Sequence, residues 1–288
     1  MRIAIVGGSG KMGSWFGGFL AREGHEVVLI GRHRERLQTL GHELGTETSD
    51  NPETVTRADV IMLSVPMDAF ESVARRYSAY ITPGQTVVEI TSVKVAPLDA
   101  MHRHLKTDKV LGIHPMFGPG ARDFANHNFI LTPTNGIEKA LAVKARAYIE
   151  ARGGKVSLMS PREHDETMAI VLGLPHIIAL VSADTLLRLG NFERLEQLGG
   201  TTCKLLLMLA DSVLTEDPEL YALIQANLPG MSNIHKLFQK NLSEWSEIVS
   251  KKSKQEFIER MQAMSEARQK ADPEFRKAYE EMYRTLER

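Results

Sequence analysis

Arg2-Ile3-Ala4-Ile5-Val6, followed at once by Gly7-Gly8-Ser9-Gly10-Lys11-Met12-Gly13, confines the fold more tightly than any other stretch of this chain. A short run of strand character enters a glycine-rich turn, and helical composition follows from Met12 to Arg22. That order reads as a strand, a tight turn and a helix, the opening of a βαβ unit. Parallel strands need crossover helices, and right-handed winding of successive units produces a doubly wound sheet. Within Gly8-Ser9-Gly10-Lys11-Met12-Gly13, Gly8 permits the tight turn, Gly10 lets backbone approach a pyrophosphate, and Gly13 allows close helix–strand packing. The amino end of the helix then faces the phosphates. A glycine-rich turn that binds nothing is the alternative, and the βαβ context weighs against it.

Further apolar runs at Glu26–Ile30, Val60–Val65, Thr86–Ile90, Val110–Ile113, Phe129–Thr132 and Lys155–Leu158 read as strands, and Ile137–Ala151 as a helix. After Ser160 the strand signals stop. Ser160-Pro161 reads as a cap and first-turn proline, and helical patterns continue to the end, broken at Asp272-Pro273. The expected division is therefore an α/β domain over 1–160 and an all-helical domain over 161–288. The apolar run from Met168 to Ala183, interrupted by Gly173, Pro175 and His176, reads as a buried helix too short to span a bilayer comfortably. Its apolar face is expected against a second subunit, and the helical half reads as a substrate-closing domain, a dimerisation module, or both.

Composition removes several classes of function. A formal net charge of −1 gives no electrostatic case for nucleic acid or an anionic membrane as partner. Cys203 is the one cysteine, so no intrachain disulfide exists, which suits a reducing compartment. No signal segment precedes Arg2, and the chain is expected in the cytoplasm. Histidines and acids do not cluster at ligand spacing, so no metal is expected.

The second strand runs Val27-Val28-Leu29-Ile30 into Gly31-Arg32-His33-Arg34, without the Asp or Glu that would take the ribose hydroxyls of NAD. A 2′-phosphate is held by guanidinium, so Arg32 and His33 favour NADP, with NAD still possible. A solvated basic turn is the bland alternative. Ser64, Val65 and Pro66, at the carboxyl end of the Val60–Val65 run, are expected to complete the cofactor crevice.

Two further residues leave strand ends on the same rim. Ser92 follows Thr86–Ile90, and His114 follows Val110–Ile113. An imidazole beside a bound nicotinamide can take a proton during hydride transfer, and a nearby hydroxyl can orient it and share the substrate hydroxyl. Taken singly, each is equally readable as a helix start or a packing histidine.

Together, Thr91-Ser92-Val93-Lys94, His114-Pro115-Met116-Phe117-Gly118-Pro119 and Glu163-His164-Asp165-x-x-Met168-Ala169 resemble the signature of the prephenate/arogenate dehydrogenase family, and Asp217-Pro218-Glu219-Leu220-Tyr221 with Asn227 fits its helical domain. The resemblance covers about residues 1–230. It implies a Rossmann domain followed by an all-helical dimerisation domain, a homodimer, and NAD(P)-dependent oxidative decarboxylation on the route to tyrosine. It implies His114 as proton acceptor and Ser92 as holder of the ring hydroxyl. Lys94 fits the family's lysine and is expected at a substrate carboxylate or the cofactor. The family's carboxylate-binding arginine is missing: Lys204 and Ser212 stand where many members carry arginine, and Gly173 where many carry a further histidine. Lys94, Lys204, Arg122, His176 or a partner subunit are the candidates to replace it. The alternatives are another NADP-linked reductase with a changed substrate, and an NADP-binding sensor that turns nothing over.

Overall fold

The computed structural model describes residues 1–190 and 192–286. The chain divides into two compact units, Met1–Met168 and Ala169–Arg288. The division lies a short helix beyond the expected boundary at residue 160, because Pro161–Met168 packs with the first unit.

In the first unit the strands are β1 (Arg2–Val6), β2 (Glu26–Ile30), β3 (Glu47–Ser49), β4 (Val60–Leu63), β5 (Thr86–Glu89), β6 (Val110–Pro115), β7 (Asn128–Leu131) and β8 (Lys155–Leu158). They form one eight-stranded sheet in the order β3-β2-β1-β4-β5-β6-β7-β8. Helices α1 (Lys11–Arg22), α2 (Arg34–Leu44), α3 (Met67–Tyr77), α4 (Val95–His104), α5 (Gly136–Glu150) and α6 (Pro161–Met168) alternate with the strands. Successive residues of β1 and β2 supply opposite faces. Val6 and Ile30 join Phe70, Leu98 and Met101 in one buried cluster, while Ile5 and Leu29 join Phe16, Phe19, Leu111 and Phe129 in the other. Strands covered on both faces must be apolar throughout, which is why these runs are unbroken.

The winding departs from the expected all-parallel pattern at one place. β6 pairs parallel with β5 through Glu89↔Gly112, then antiparallel with β7 through His114↔Ile130. The connection over 116–127 carries no helix, so no crossover returns the chain in parallel. β6 also outruns β5, and His114 lies inside the strand extension rather than beyond the strand end.

The sheet reverses its order between β1 and β4, the switch point where crevices form in such sheets. Loop 116–127 is tied to α1 behind the glycine turn. Trp15 Nε1 donates to the Ala121 carbonyl at 2.6 Å, and its ring stacks on Phe19 and meets Phe117 edge-on at 5.0 Å.

The second unit is helical: α7 (Leu174–Leu189), α8 (Phe192–Leu198), α9 (Thr201–Leu214), α10 (Pro218–Asn227), α11 (Met231–Ser250), α12 (Lys254–Ala271) and α13 (Ala278–Leu286). A wide turn over Ala169–Gly173 joins α6 to α7, so the helix is continuous from Pro161 to Leu189. It spans 29 residues, is long and apolar enough to cross a membrane by length and composition, and only 17% of its most apolar window is buried within the single chain. The expectation of a short helix is thereby corrected: capping at Ser160 and the wide turn lengthen it. Within the single chain its apolar side chains face outward, Ile170 being 61% and Leu187 61% exposed. Asp217 caps α10 by accepting from Glu219 N at 3.0 Å. The helical tail breaks at Asp272 as expected and also at Lys252, which adopts a positive φ of 52°.

Candidate functional site

The turn after β1 is built by close approach. Gly7 has φ +86°, and a Cβ there would lie 1.9 Å from the Ser64 carbonyl oxygen at the carboxyl end of β4. This corrects the assignment of the tight turn to Gly8, whose own role is packing: a Cβ on it would meet Leu29 at 2.7 Å. Gly13 sits over the turn, where a Cβ would come within 2.4 Å of Gly7 O. Gly10 is the N-cap of α1 and offers no side chain to the amides of the first turn. A bare helix amino end over a glycine cradle suits a dinucleotide's phosphates. Ser9 and Lys11 flank Gly10, and Met12 is half-buried against the aromatic cluster behind the turn. Ser64 and Val65 are half-buried beside Gly7, and Pro66 caps α3 at the surface.

At the carboxyl end of β2, Arg32 and His33 are exposed and His33 is the N-cap of α2. The Ser9 hydroxyl lies 3.3 Å from where a Cβ on Gly31 would stand, so the basic turn borders the glycine loop.

A chain of buried polar groups lies along the same rim, under β5 and β6. Asp165 Oδ1 accepts from His164 Nδ1 at 2.7 Å, and His164 Nε2 meets His114 Nδ1 at 2.8 Å. Asp165 also accepts from the backbone N–H groups of Lys94 at 2.7 Å and Val95 at 3.0 Å. Lys94 Nζ donates to Glu89 Oε1 at 2.5 Å and to the Ile113 carbonyl at 3.0 Å. Glu89 accepts further bonds from the Thr91 amide and hydroxyl. Lys94, Glu89 and His164 are wholly buried and His114 is 5% exposed.

Lys94 therefore does not face a substrate carboxylate. Its ammonium is spent on Glu89 and Ile113 inside the fold, and the substrate-binding expectation for it is corrected on that ground. Burial pulls the Lys94 ammonium down from its ordinary value, and Glu89 opposes that. His114 is held well below the usual histidine value, first by burial, then by the Lys94 charge and by His164. It is a neutral imidazole at pH 7. Its Nε2 has no protein partner among the described residues and is not among the sealed, unpartnered atoms, so solvent still reaches that nitrogen. Ser92 is half-buried at the end of the neighbouring strand, and its hydroxyl is likewise unsealed. A neutral imidazole with one pinned nitrogen and one open nitrogen can act as a general base.

The remaining candidates are carried by other segments. Arg122 is exposed in loop 116–127. His176 and Lys204 belong to the helical unit. His176 is half-buried with its ring edge-on to Tyr221 at 4.6 Å, and Lys204 is exposed on α9. Ser212 turns its hydroxyl to the Leu209 carbonyl at 2.8 Å. At Gly173 a Cβ would lie 2.3 Å from Met231 Sδ, and Gln225 Nε2 donates to the Gly173 carbonyl at 2.9 Å. Met231 thus fills the space that a larger side chain would need, which accounts for glycine at that position. Sequence reasoning missed Glu89 and the Asp165–His164–His114 chain. A lone acid closing an otherwise apolar strand, with a lysine shortly after it, was the available signal for the first.

Two family models match the chain in succession: prephenate dehydrogenase, nucleotide-binding domain, over residues 16–158, and prephenate dehydrogenase, dimerization domain, over residues 160–263. A probable arogenate/prephenate dehydrogenase of Methanocaldococcus jannaschii is 31% identical over 91% of this chain and 59% of its own length. The T-protein of Haemophilus influenzae is 27% identical over 77% of this chain and 55% of its own length. The chain thus spans little more than half the length of these curated relatives. Prephenate dehydrogenase from A. aeolicus, solved with hydroxyphenyl propionate and NAD+, shares the fold with a TM-score of 0.77 and 24% identity, covering 94% of this chain and 98% of that one.

Proposed function

Because the chain belongs to the prephenate dehydrogenase family, with models of both family domains matched in order along it, we propose that it catalyses the NAD(P)-dependent oxidative decarboxylation of prephenate to 4-hydroxyphenylpyruvate, or of arogenate to tyrosine. The observation that carries this reading is His114: a neutral imidazole, open at Nε2, on the rim it shares with Ser92 and the glycine turn. The nicotinamide cofactor, when bound, accepts hydride from the ring carbon that bears the hydroxyl. His114 Nε2 takes the hydroxyl proton and Ser92 holds that oxygen. Loss of the ring carboxylate as CO₂ then leaves an aromatic ring. The Gly7 and Gly13 contacts fit the cofactor because any side chain there would force the turn away from β4 or α1 away from the turn, and the cradle depends on both approaches. The direct test is NADPH or NADH appearance on mixing the protein with prephenate or arogenate and each cofactor. Binding of cofactor with no turnover of either substrate would favour a sensor instead.

NADP is the preferred cofactor on this reading. Arg32 and His33 stand exposed where a 2′-phosphate would lie, and no carboxylate closes β2 to repel it. Arg32→Ala should weaken NADP by about tenfold or more while leaving NAD within about twofold, since a charge-assisted contact contributes about 1.5–3 kcal/mol. Equal losses for the two cofactors in a fluorescence titration would remove the preference.

The substrate carboxylate falls to Arg122, Lys204, His176 or a partner subunit. The proposed assembly is a homodimer through the helical unit. The long helix leaves Val181 44% and Leu189 72% exposed, and the family model matched there is described as a dimerization domain. An exposed apolar face of this kind marks an interaction surface. Val181→Asp should shift the mass measured by light scattering from dimer to monomer; an unchanged dimer would place the interface elsewhere.

A further inference from the structure

We propose that His164 and Asp165 are positioning residues for the His114 base: one buried carboxylate sets the tautomer of the reactive imidazole and, at the same time, pins the turn that carries Ser92. The proposal rests on the functional reading above and deepens it.

The argument begins with which groups can donate. An ionised carboxylate only accepts. Asp165 Oδ1 faces His164 Nδ1 at 2.7 Å, so His164 carries its proton on Nδ1. The opposite tautomer would set a nitrogen lone pair against a carboxylate oxygen inside a buried site. His164 Nε2 is then a lone pair, and the 2.8 Å contact requires His114 to donate from Nδ1. His114 Nε2 is left as the free lone pair, at the nitrogen that solvent reaches. The chain therefore presents the basic nitrogen outward. When Nε2 takes the substrate hydroxyl proton, the O–H bond breaks, the N–H bond forms, and the imidazolium strengthens its Nδ1–H bond toward His164. Asp165, one residue further, offsets that positive charge, whereas Lys94 opposes it. Lys94 is itself balanced by Glu89.

The second half of the role is geometric. Lys94 is the N-cap of α4 and supplies no side-chain cap. Asp165 reaches across from α6 and accepts from the N–H groups of Lys94 and Val95, satisfying donors that the helix start leaves without partners. This fixes the Thr91–Lys94 turn, and Ser92 with it, to the carboxylate that orients His114. A residue that merely caps α4 would have no reason to hold His164 as well.

The test is Asp165→Asn, nearly isosteric, assayed beside His164→Gln, which cuts the chain to His114 without touching the α4 turn. In Asp165→Asn the amide oxygen can keep accepting from His164 Nδ1 and Lys94 N, so the tautomers hold while the charge that offsets the His114 imidazolium is lost. In His164→Gln the side chain can either accept from or donate to His114 Nδ1, so the tautomer is no longer set. Nitrogen-15 NMR of the imidazoles, read without substrate, should show His114 protonated on Nδ1 in the wild type and in Asp165→Asn, with that preference lost in His164→Gln. Both variants should lose about ten- to a hundredfold in kcat, with KM for substrate and cofactor within about twofold. His114 protonated on Nε2 in the wild type, or an unimpaired kcat in His164→Gln, would overturn the proposal. The tautomer measurement stands even if neither prephenate nor arogenate is turned over, so failure of the functional reading is separable from failure of this one.

Discussion

His114→Asn should lower kcat by about 10²–10⁴, the range a positioned general base contributes, while cofactor affinity stays near that of the wild type. Asparagine keeps a donor for His164 and removes the basic nitrogen. The loss should fall on kcat with KM held, the signature of an interaction made in the transition state. The pH profile gives a second reading. Burial, the Lys94 charge and His164 hold His114 well below 6.5, so the imidazole remains a base at pH values where a solvent-exposed histidine is already protonated. The acid limb of kcat/KM should therefore begin below pH 6.5 in the wild type and vanish in the variant. The same depression couples to stability. The unfolded chain binds this proton more readily than the folded one, so the contribution of His114 is constant above the unfolded value. It falls as the pH is lowered through 6.5 toward the folded value. His164, lowered chiefly by burial, acts in the same direction. Unimpaired turnover by His114→Asn would leave His114 structural.

How much of this was readable in the sequence differs from element to element, for physical reasons. β1, β2 and β8 begin and end where their residues indicate, because apolar runs bounded by turn residues admit little else. β3 was not readable. Glu47-Thr48-Ser49 is polar, lies at the sheet edge and is held by backbone pairing to β2, which leaves no mark in side-chain pattern. The antiparallel turn from β6 to β7 was equally hidden, since nothing local distinguishes loop 116–127 from a short crossover. Its anchor is Trp15, far away in the chain.

At the site, Ser92 and His114 were legible as residues of neighbouring strands, because strand order follows from winding rules, although His114 sits within an extension of β6 rather than past its end. Lys94 misled for an instructive reason. A lysine beside a candidate serine suggests a charge offered to substrate, and only the position of Glu89 at the end of β5 shows that the charge is turned inward. The link from His164 to His114 joins residues of α6 and β6, and no local spacing encodes such a contact.

Gly7→Ala is expected to be the most damaging single change in the nucleotide turn. Two penalties coincide there. The residue has φ +86°, which an L side chain adopts only under strain of about 1–3 kcal/mol. Its Cβ would also stand 1.9 Å from the Ser64 carbonyl oxygen, a backbone atom of β4 that cannot rotate away. Overpacking of this kind costs about 1–3 kcal/mol more, so the total is about 2–6 kcal/mol, the sum of the two ranges. Gly24→Ala separates the two terms: Gly24 has φ +81° with nothing within 4 Å of a built Cβ, so it should carry the conformational penalty alone. Thermal unfolding should therefore rank wild type above Gly24→Ala, and Gly24→Ala above Gly7→Ala. Only Gly7→Ala should also lose nicotinamide cofactor binding, because relief of the clash pushes β4 and its Ser64–Pro66 segment away from the glycine turn. Equal stability of the two variants, with cofactor binding intact in both, would mean that the approach of Gly7 to Ser64 does not shape the crevice.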